Sequence, residues 1–527
     1  MRAHGHALRS SPAVVRLVAG GMAVAGMVVA LAAGCSDGGS RTARATTTTS
    51  STTTTTVATA PVLRDEACPG GFPTDSRVSC HRVVVPLDRA HPRGPTMALF
   101  VAVVKGTGTP DPVVYFSGGP GGVGVTADRV RRYLTTDPTS GRDVVLFDQR
   151  GTGRSGPSLE CPEVSAAALD VLSGSQPRAT VVPPAIRTAF DACYRRLAAS
   201  GVDLGVYNTE ISADDAEDIR LALGYDRWNL FGISYGTTVA LAVLQRHPGH
   251  VRSVVIDSVL STTSPDSTQN LTERLLSGRA RLIQGCAADP ACNRAYPDLG
   301  GTISRVIARY NAAPHPVKLA DPTVAGGQRT VQITGDDISA GLIRAQYDET
   351  YLPLLPNIIH ALDKDQTGVI DTLASSGLDF WTGLSAGDAV AVECADRQRL
   401  AAGDGQTDST THPELALFLA GAAVPDNCAT WKLPPVSTTF NRPVHSDVPT
   451  LGMAGAFDPI IPPEQSKAVA DELGHALFVE IANGGHGPIY SSPCTTSIFT
   501  AFLRAGDTSI DTSCAQAIRP PTFVLPK

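Results

Sequence analysis

The chain has 527 residues, 42% hydrophobic, 18% charged and 5% aromatic, with a formal charge of −7. That length exceeds one ordinary core and suits a domain with a large insertion. The acidic balance and the lack of a basic stripe argue against nucleic acid as a partner.

The N-terminus reads as an export signal. Arg2, Arg9 and Arg16 precede an apolar stretch, Leu17 to Ala33, which ends in Ala32-Ala33-Gly34-Cys35. This looks like a lipobox, in which cleavage precedes a cysteine that receives lipid, here Cys35. Leu31 stands one place away from the usual leucine. The competing expectation is plain secretion, with cleavage near the same Ala-rich end. The stretch is short for an uncleaved membrane span. Losing the leader's three arginines takes the charge of −7 to about −10. Residues 35–62 are rich in Ser and Thr, with Thr46–Thr49 and Thr52–Thr56 in runs. Such a segment has nothing to bury and is expected to be a disordered tether.

Short apolar runs then recur: Met97–Lys105, Pro112–Ser117, Asp143–Phe147, Trp228–Ile233, Val251–Ile256, Thr450–Ala454 and Leu477–Ile481. Rich in Val, Ile or Phe and not strictly alternating, they fit strands buried on both faces of a mostly parallel sheet. Helical patterns lie between them. One is expected from an N-cap at Ser212 to Leu223-Gly224, another from Pro462-Pro463 to Leu473-Gly474. The rhythm breaks after Val259 and resumes at Val448. The expected fold class is α/β, a mostly parallel sheet with helices on both faces and an inserted, mainly helical cap domain. The expected parts are a leader (1–34), a tether (35–62), a core in two pieces (63–260 and 441–527) and a cap (261–440) over the carboxyl ends of the strands.

Cys35 aside, ten of the eleven cysteines remain: Cys68, Cys80, Cys161, Cys193, Cys286, Cys292, Cys394, Cys428, Cys494 and Cys514. An even set in an exported chain suggests disulfides throughout. Sequence leaves the connectivity open, and pairing nearest neighbours is the simplest arrangement. No C-x-x-C pair or matching His spacing points to a metal site.

The chemistry centres on Gly232-Ile233-Ser234-Tyr235-Gly236. An apolar strand precedes it and a helical run follows, the strand–turn–helix setting that gives G-x-S-x-G its meaning. Ser234 is the expected nucleophile. Gly383-Leu384-Ser385-Ala386-Gly387 matches the pattern too, but without a clear strand before it or a strong helix after it. It reads as chance in a glycine-rich chain. A serine hydroxyl needs a base and an orienting acid. His486, in Asn483-Gly484-Gly485-His486-Gly487-Pro488 just past the run Leu477–Ile481, is the expected base. Asp458 and Asp257 compete for the acid; Asp458 is preferred because it ends the run just before the histidine's. The oxyanion requires backbone donors. Tyr235 is one, and Gly119 in Ser117-Gly118-Gly119-Pro120-Gly121-Gly122 is the other, since Pro120 has no N–H. No Lys-Ser/Thr follows that loop, which argues against a nucleotide site. No metal or organic cofactor is needed.

Gly118-Gly119-Pro120-Gly121, Asp148-Gln149-Arg150-Gly151-Thr152-Gly153-Arg154-Ser155, the Gly-Ile-Ser-Tyr-Gly-Thr elbow, Asp458-Pro459 and Gly485-His486 together resemble the proline iminopeptidase family of α/β-hydrolases. Within it they are most similar to the exported actinobacterial branch, the tripeptidyl aminopeptidases. The resemblance covers about residues 65–510 and is weaker in the cap, where Ala391-Val392-Glu393-Cys394-Ala395-Asp396 resembles the branch's Ala-Ile-x-Cys-x-Asp. It implies a serine exopeptidase that takes short peptides from free N-termini. Such an enzyme must hold an ammonium group, a task suited to buried cap acids. Glu393 is the first candidate and Asp396 the second. Two positions depart from the pattern: Ser117 stands where iminopeptidases usually have His, and Ile461 where the branch usually has Thr. The second removes a hydroxyl near the acid.

Two other readings remain. A carboxylesterase or lipase would use the same triad, although a lipase favours an aromatic-rich cap. A ligand-binding surface lipoprotein would normally carry a broken triad. Epoxide and haloalkane hydrolases are excluded because they need an acid where Ser234 stands.

Overall fold

The computed structural model describes residues 61–526 apart from 264–267, 321–323, 325–326, 371–372, 374–382, 398–399, 401–411, 417 and 420–423. The expected leader, the lipidation site Cys35 and nearly all of the expected tether lie outside the described residues. Strand β1 (Val62–Glu66) begins at the last residue assigned to that tether.

Nine strands form one sheet in the order β1-β2-β3-β5-β4-β6-β7-β10-β11. Besides β1, these are β2 (Val78–Pro86), β3 (Thr96–Val104), β4 (Thr109–Phe116), β5 (Arg142–Phe147), β6 (Trp228–Ile233), β7 (Val251–Asp257), β10 (Ser446–Gly455) and β11 (Gly474–Ile481). β5 through β11 pair in parallel, whereas β1, β2 and β3 form an antiparallel edge that joins at β5. That edge contains β1 and β2, which the apolar runs do not predict. β1 is short and largely exposed, Val-Leu-Arg-Asp-Glu, and β2 buries only Cys80, Val83 and Val85 of its nine residues.

Helices cover both faces. Thr209–Leu223 and Tyr235–Arg246 pack on one side through Ala213, Ala216, Ile219 and Val239, while Ala127–Thr136 and Pro493–Ala505 cover the other through Val130, Tyr133, Ile498 and Phe499. The first of these helices starts earlier than expected. Asn208, not Ser212, is its N-cap, its side chain accepting the N–H of Ile211 at 3.0 Å. Ser212 is buried within the helix. Gly224 ends it at φ 75°, and the later helix runs Pro463–Glu472.

Between β7 and β10 no described strand joins the main sheet. The segment holds helices, including Thr268–Ala288, Leu299–Ala312 and Gly335–Ala345, and a hairpin of β8 (His315–Ala320) with β9 (Gln328–Ile333). Its own apolar cluster is built on Leu282, Ile303, Val306 and Leu342. Five disulfides tie the chain: Cys68–Cys80, Cys161–Cys193, Cys286–Cys292, Cys394–Cys428 and Cys494–Cys514, in each case neighbours in sequence.

Candidate active site

β6 delivers Ser234 into a backbone conformation of φ 57°, ψ −130°, and Tyr235 starts a helix at the next residue. Positive φ is unfavourable for a side chain with a Cβ and survives only where the surroundings enforce it. Here the enforcement is steric. A Cβ on Gly232 would lie 2.3 Å from the Gly236 carbonyl oxygen, and one on Gly236 2.1 Å from that of Phe116. The two glycines are thus what lets the turn close. The Ser234 N–H is held by the Asp257 carbonyl at 3.0 Å. The Tyr235 N–H, in the first helical turn, has no partner within its own helix, and it sits at the positive end of the helix dipole.

β10 and β11 bring the other two groups. Asp458 is fully buried, and its Oδ2 lies 2.8 Å from His486 Nδ1. Its Oδ1 accepts the N–H groups of Ile460 and Ile461, both at 2.9 Å. The main chain at Ile461 therefore supplies a donor to the acid that does not depend on a hydroxyl at this position. The His486 N–H donates to the Tyr347 carbonyl at 2.9 Å, and the two rings lie 4.8 Å apart. With Nδ1 on Asp458, Nε2 is the nitrogen left for a serine proton. A Cβ on Gly487 would meet Ile233 Cγ2 at 2.9 Å, so the histidine loop packs against the residue before Ser234.

Asp257, the rival acid, ends β7 and is fully buried, but its Oδ2 accepts the N–H of Ile489 at 2.8 Å rather than pairing with the imidazole. Burial pushes its carboxyl well above the ordinary range, and the nearby Asp458 charge adds to this.

The loop after β4 lies against Ser234. A Cβ on Gly118 would be 3.1 Å from Ser234 Cβ. Gly119 is exposed and sits at φ 125°, a conformation in which its N–H can turn toward a substrate oxygen. Gln149, from the Asp148–Ser155 stretch, fixes this loop by donating to the Ser117 carbonyl at 3.1 Å. A second support comes from far away. Ser385 N–H donates to the Gly121 carbonyl at 2.8 Å, and Leu384 bridges Gly122. The Ser385 hydroxyl is spent on the Gly151 carbonyl at 3.0 Å. The second G-x-S-x-G match therefore has a use, as a strap on the glycine loop.

The helix Ala386–Arg397 follows that strap and carries the expected ammonium ligands. Glu393, largely buried, receives Arg397 Nε at 2.9 Å. Asp396 is buried and accepts the N–H of Thr209 at 3.1 Å together with the Thr209 hydroxyl. That same hydroxyl lies 2.7 Å from the Tyr235 phenol oxygen, which links Asp396 to the elbow. Sequence reasoning did not single out Asp388, which shares a face with Asp396 two turns on. It is buried, and its Oδ1 finds no hydrogen-bond partner. Burial pushes the Asp388 carboxyl up to about 8 and the Asp396 carboxyl up to about 7.

These raised values carry a sign. The folded state keeps a proton on Asp388 that the unfolded chain releases near the ordinary carboxyl value of 3.8. The corresponding stability is full at acid pH and is lost as pH rises through about 8. Asp388→Asn, which keeps the neutral shape, is expected to flatten the decline in unfolding free energy between pH 5 and pH 9, measured by urea titration. An unchanged slope would refute the assignment.

Among the described residues one trio has metal-ligand spacing, Cys161, Glu163 and Cys193. It is already spent on a disulfide and on the Glu163–Arg196 ion pair.

Most of the chain is similar to several named proteins. Over 481 residues it is 27% identical to the tripeptidyl aminopeptidase of Streptomyces coelicolor, covering 86% of each chain. Over 454 residues it is 26% identical to the serine protease Hip1 of Mycobacterium tuberculosis, covering 81% of this chain and 85% of that one. Over 427 residues it is 29% identical to carboxylesterase B of the same organism, covering 76% of this chain and 79% of that one. Residues 111–493 match the alpha/beta hydrolase fold family, a stretch that runs from β4 to the helix after the histidine loop. With its nine-stranded, mostly parallel sheet and with Ser234, Asp458 and His486 in the loops after the parallel strands β6, β10 and β11, the chain belongs to the α/β-hydrolase fold family.

Proposed function

We propose that this chain is an exported serine exopeptidase that releases short peptides, tripeptides first among them, from free N-termini. The carrying observation is the hydrogen bond between Asp458 and His486 Nδ1 beside a serine held at positive φ. His486 Nε2 takes the Ser234 proton as the hydroxyl attacks the scissile carbonyl. Asp458 holds the imidazole in the required tautomer and stabilises its charged form. The N–H groups of Gly119 and Tyr235 receive the oxyanion. His486 then protonates the leaving amine, and water clears the acyl-enzyme by the same route.

Residues 261–440 act as a cap in this reading. Its support is that Tyr347 touches the histidine loop and Ser385 the glycine loop. Glu393, with Asp396 behind it, would hold the substrate ammonium. Five disulfides fit an extracellular protein. Export by the N-terminal signal and anchoring through a lipid on Cys35 complete the proposal. No described helix is long and apolar enough to cross a membrane.

The similarity to carboxylesterase B favours a second reading, an esterase with the same triad. A rate comparison separates them. A tripeptide anilide with a free N-terminus is expected to be cleaved at least about a hundredfold faster, by kcat/KM, than its N-acetylated form, the scale of losing a paired buried charge. Glu393→Gln is expected to raise KM for the free peptide alone. Equal cleavage of both peptides, or cleavage only of a short acyl ester, would reject the exopeptidase.

A further inference from the structure

The last residue of β7, Asp257, and the residue after it, Ser258, both reach the histidine loop with their side chains. Asp257 Oδ2 accepts the Ile489 N–H at 2.8 Å, and Ser258 Oγ accepts the Gly487 N–H at 3.0 Å. Gly487 and Ile489 lie one and three residues beyond His486. The main chain of the same pair serves the rest of the site. The Asp257 carbonyl holds the Ser234 N–H at 3.0 Å, and the Ser258 N–H donates at 2.8 Å to Met453, on the strand that leads to Asp458. Ser258 does this at φ 53°, a conformation that a serine adopts only under constraint. Both residues are fully buried.

No triad step uses either side chain, yet two buried polar groups are spent on two loop N–H groups. A loop of Gly-Gly-His-Gly has little conformational preference of its own. Something outside it must set the imidazole between Asp458 and Ser234. Tyr347 does this on the N-terminal side through its carbonyl.

Resting on the triad reading above, we propose that Asp257 and Ser258 are positioning residues, a clamp that fixes His486 for proton transfer from Ser234. Asp257 works as a neutral hydrogen-bond acceptor. A second charge there would compete with Asp458 for the imidazolium and would lack a counter-ion. The clamp therefore needs an acceptor oxygen at position 257 and not a carboxylate.

The test uses the tripeptide anilide and the mature chain. Asp257→Asn keeps an acceptor of the same shape and is expected to hold kcat within about threefold of the parent. Asp257→Leu removes the acceptor and is expected to lower kcat by about 100-fold with KM within about twofold, the size of effect that follows from misplacing a catalytic group by an ångström. Ser258→Ala, the milder change, is expected to lower kcat by about tenfold with KM held, on the same ground. The rate at which a fluorophosphonate labels Ser234 should fall in parallel, since it reports the same proton transfer. Parent-like kcat in folded Asp257→Leu overturns the clamp, as does an Asn variant as damaged as the Leu one. Parent-like kcat in Ser258→Ala overturns that residue's part, and remains readable if Asp257→Leu does not fold. Failure of the triad itself shows separately, as turnover that survives Ser234→Ala.

Discussion

Ser234→Ala is expected to lower kcat by roughly 10⁴- to 10⁶-fold, the range seen when a triad nucleophile is removed. Thermal stability should stay near that of the parent. Alanine keeps the Cβ, so it inherits the backbone constraint at φ 57° without adding to it. The contacts that enforce the turn belong to Gly232, Gly236 and the Asp257 carbonyl, none of which changes. Any residual rate would come from substrate binding and the oxyanion donors alone. Single-turnover kinetics with the tripeptide anilide, alongside a melting curve, provide the measurement. A folded Ala variant that turns over like the parent would remove Ser234 from the mechanism.

Asp458→Asn is expected to cost about 10⁴-fold in kcat with little change in KM. The reason lies in the donors around the carboxylate. Oδ1 accepts two backbone N–H groups, from Ile460 and Ile461. An asparagine must place its carbonyl there to satisfy them, which turns its NH2 toward His486 Nδ1. The imidazole then accepts at Nδ1 and carries its proton on Nε2, where it cannot take one from Ser234. Asp257→Asn meets no such conflict. The pair of variants therefore decides which acid serves the histidine. A loss below tenfold in Asp458→Asn, or a larger loss in Asp257→Asn, would reverse the assignment.

Much of the fold was legible because it is written in local patterns. Each apolar run of Val, Ile or Phe is a strand, to within a few residues, although β11 lies at the sheet edge and is only partly buried where its run reads as buried on both faces. The Pro463–Glu472 helix is announced by its prolines, and the stop at Gly224 by a residue that tolerates φ 75°. The elbow is legible for the same reason. Gly232 answers a clash with Gly236 that the turn itself creates, while Gly236 answers one with the Phe116 carbonyl, which the sheet brings near. The antiparallel edge was missed because Val62–Glu66 is exposed and short, so burial leaves little mark on it. The helix start was misplaced because Asn208 and Ser212 are both good caps in isolation. Only Asn208 precedes the first turn that the surrounding structure lets form.

The sequence by itself determined the sheet-forming runs, the strand–turn–helix setting of Ser234 and the candidate base, while the cysteine pairs were settled by the structure. The first three depend on periodicity, turn chemistry and spacing along the chain. The tertiary structure decided what depends on meetings between distant residues. Ser385 straps the glycine loop at Gly121 and reaches Gly151 from 234 residues away. Arg397 reaches one oxygen of Glu393, while Asp396 turns to Thr209 behind the elbow. Asp257 and Asp458, alike in sequence as acids at strand ends, part company only in space. One has two main-chain donors and an imidazole that stabilise a charge, and the other has a single N–H in a buried place that does not. A carboxyl's role follows from its solvation and partners, and those exist only once the sheet has brought the loops together.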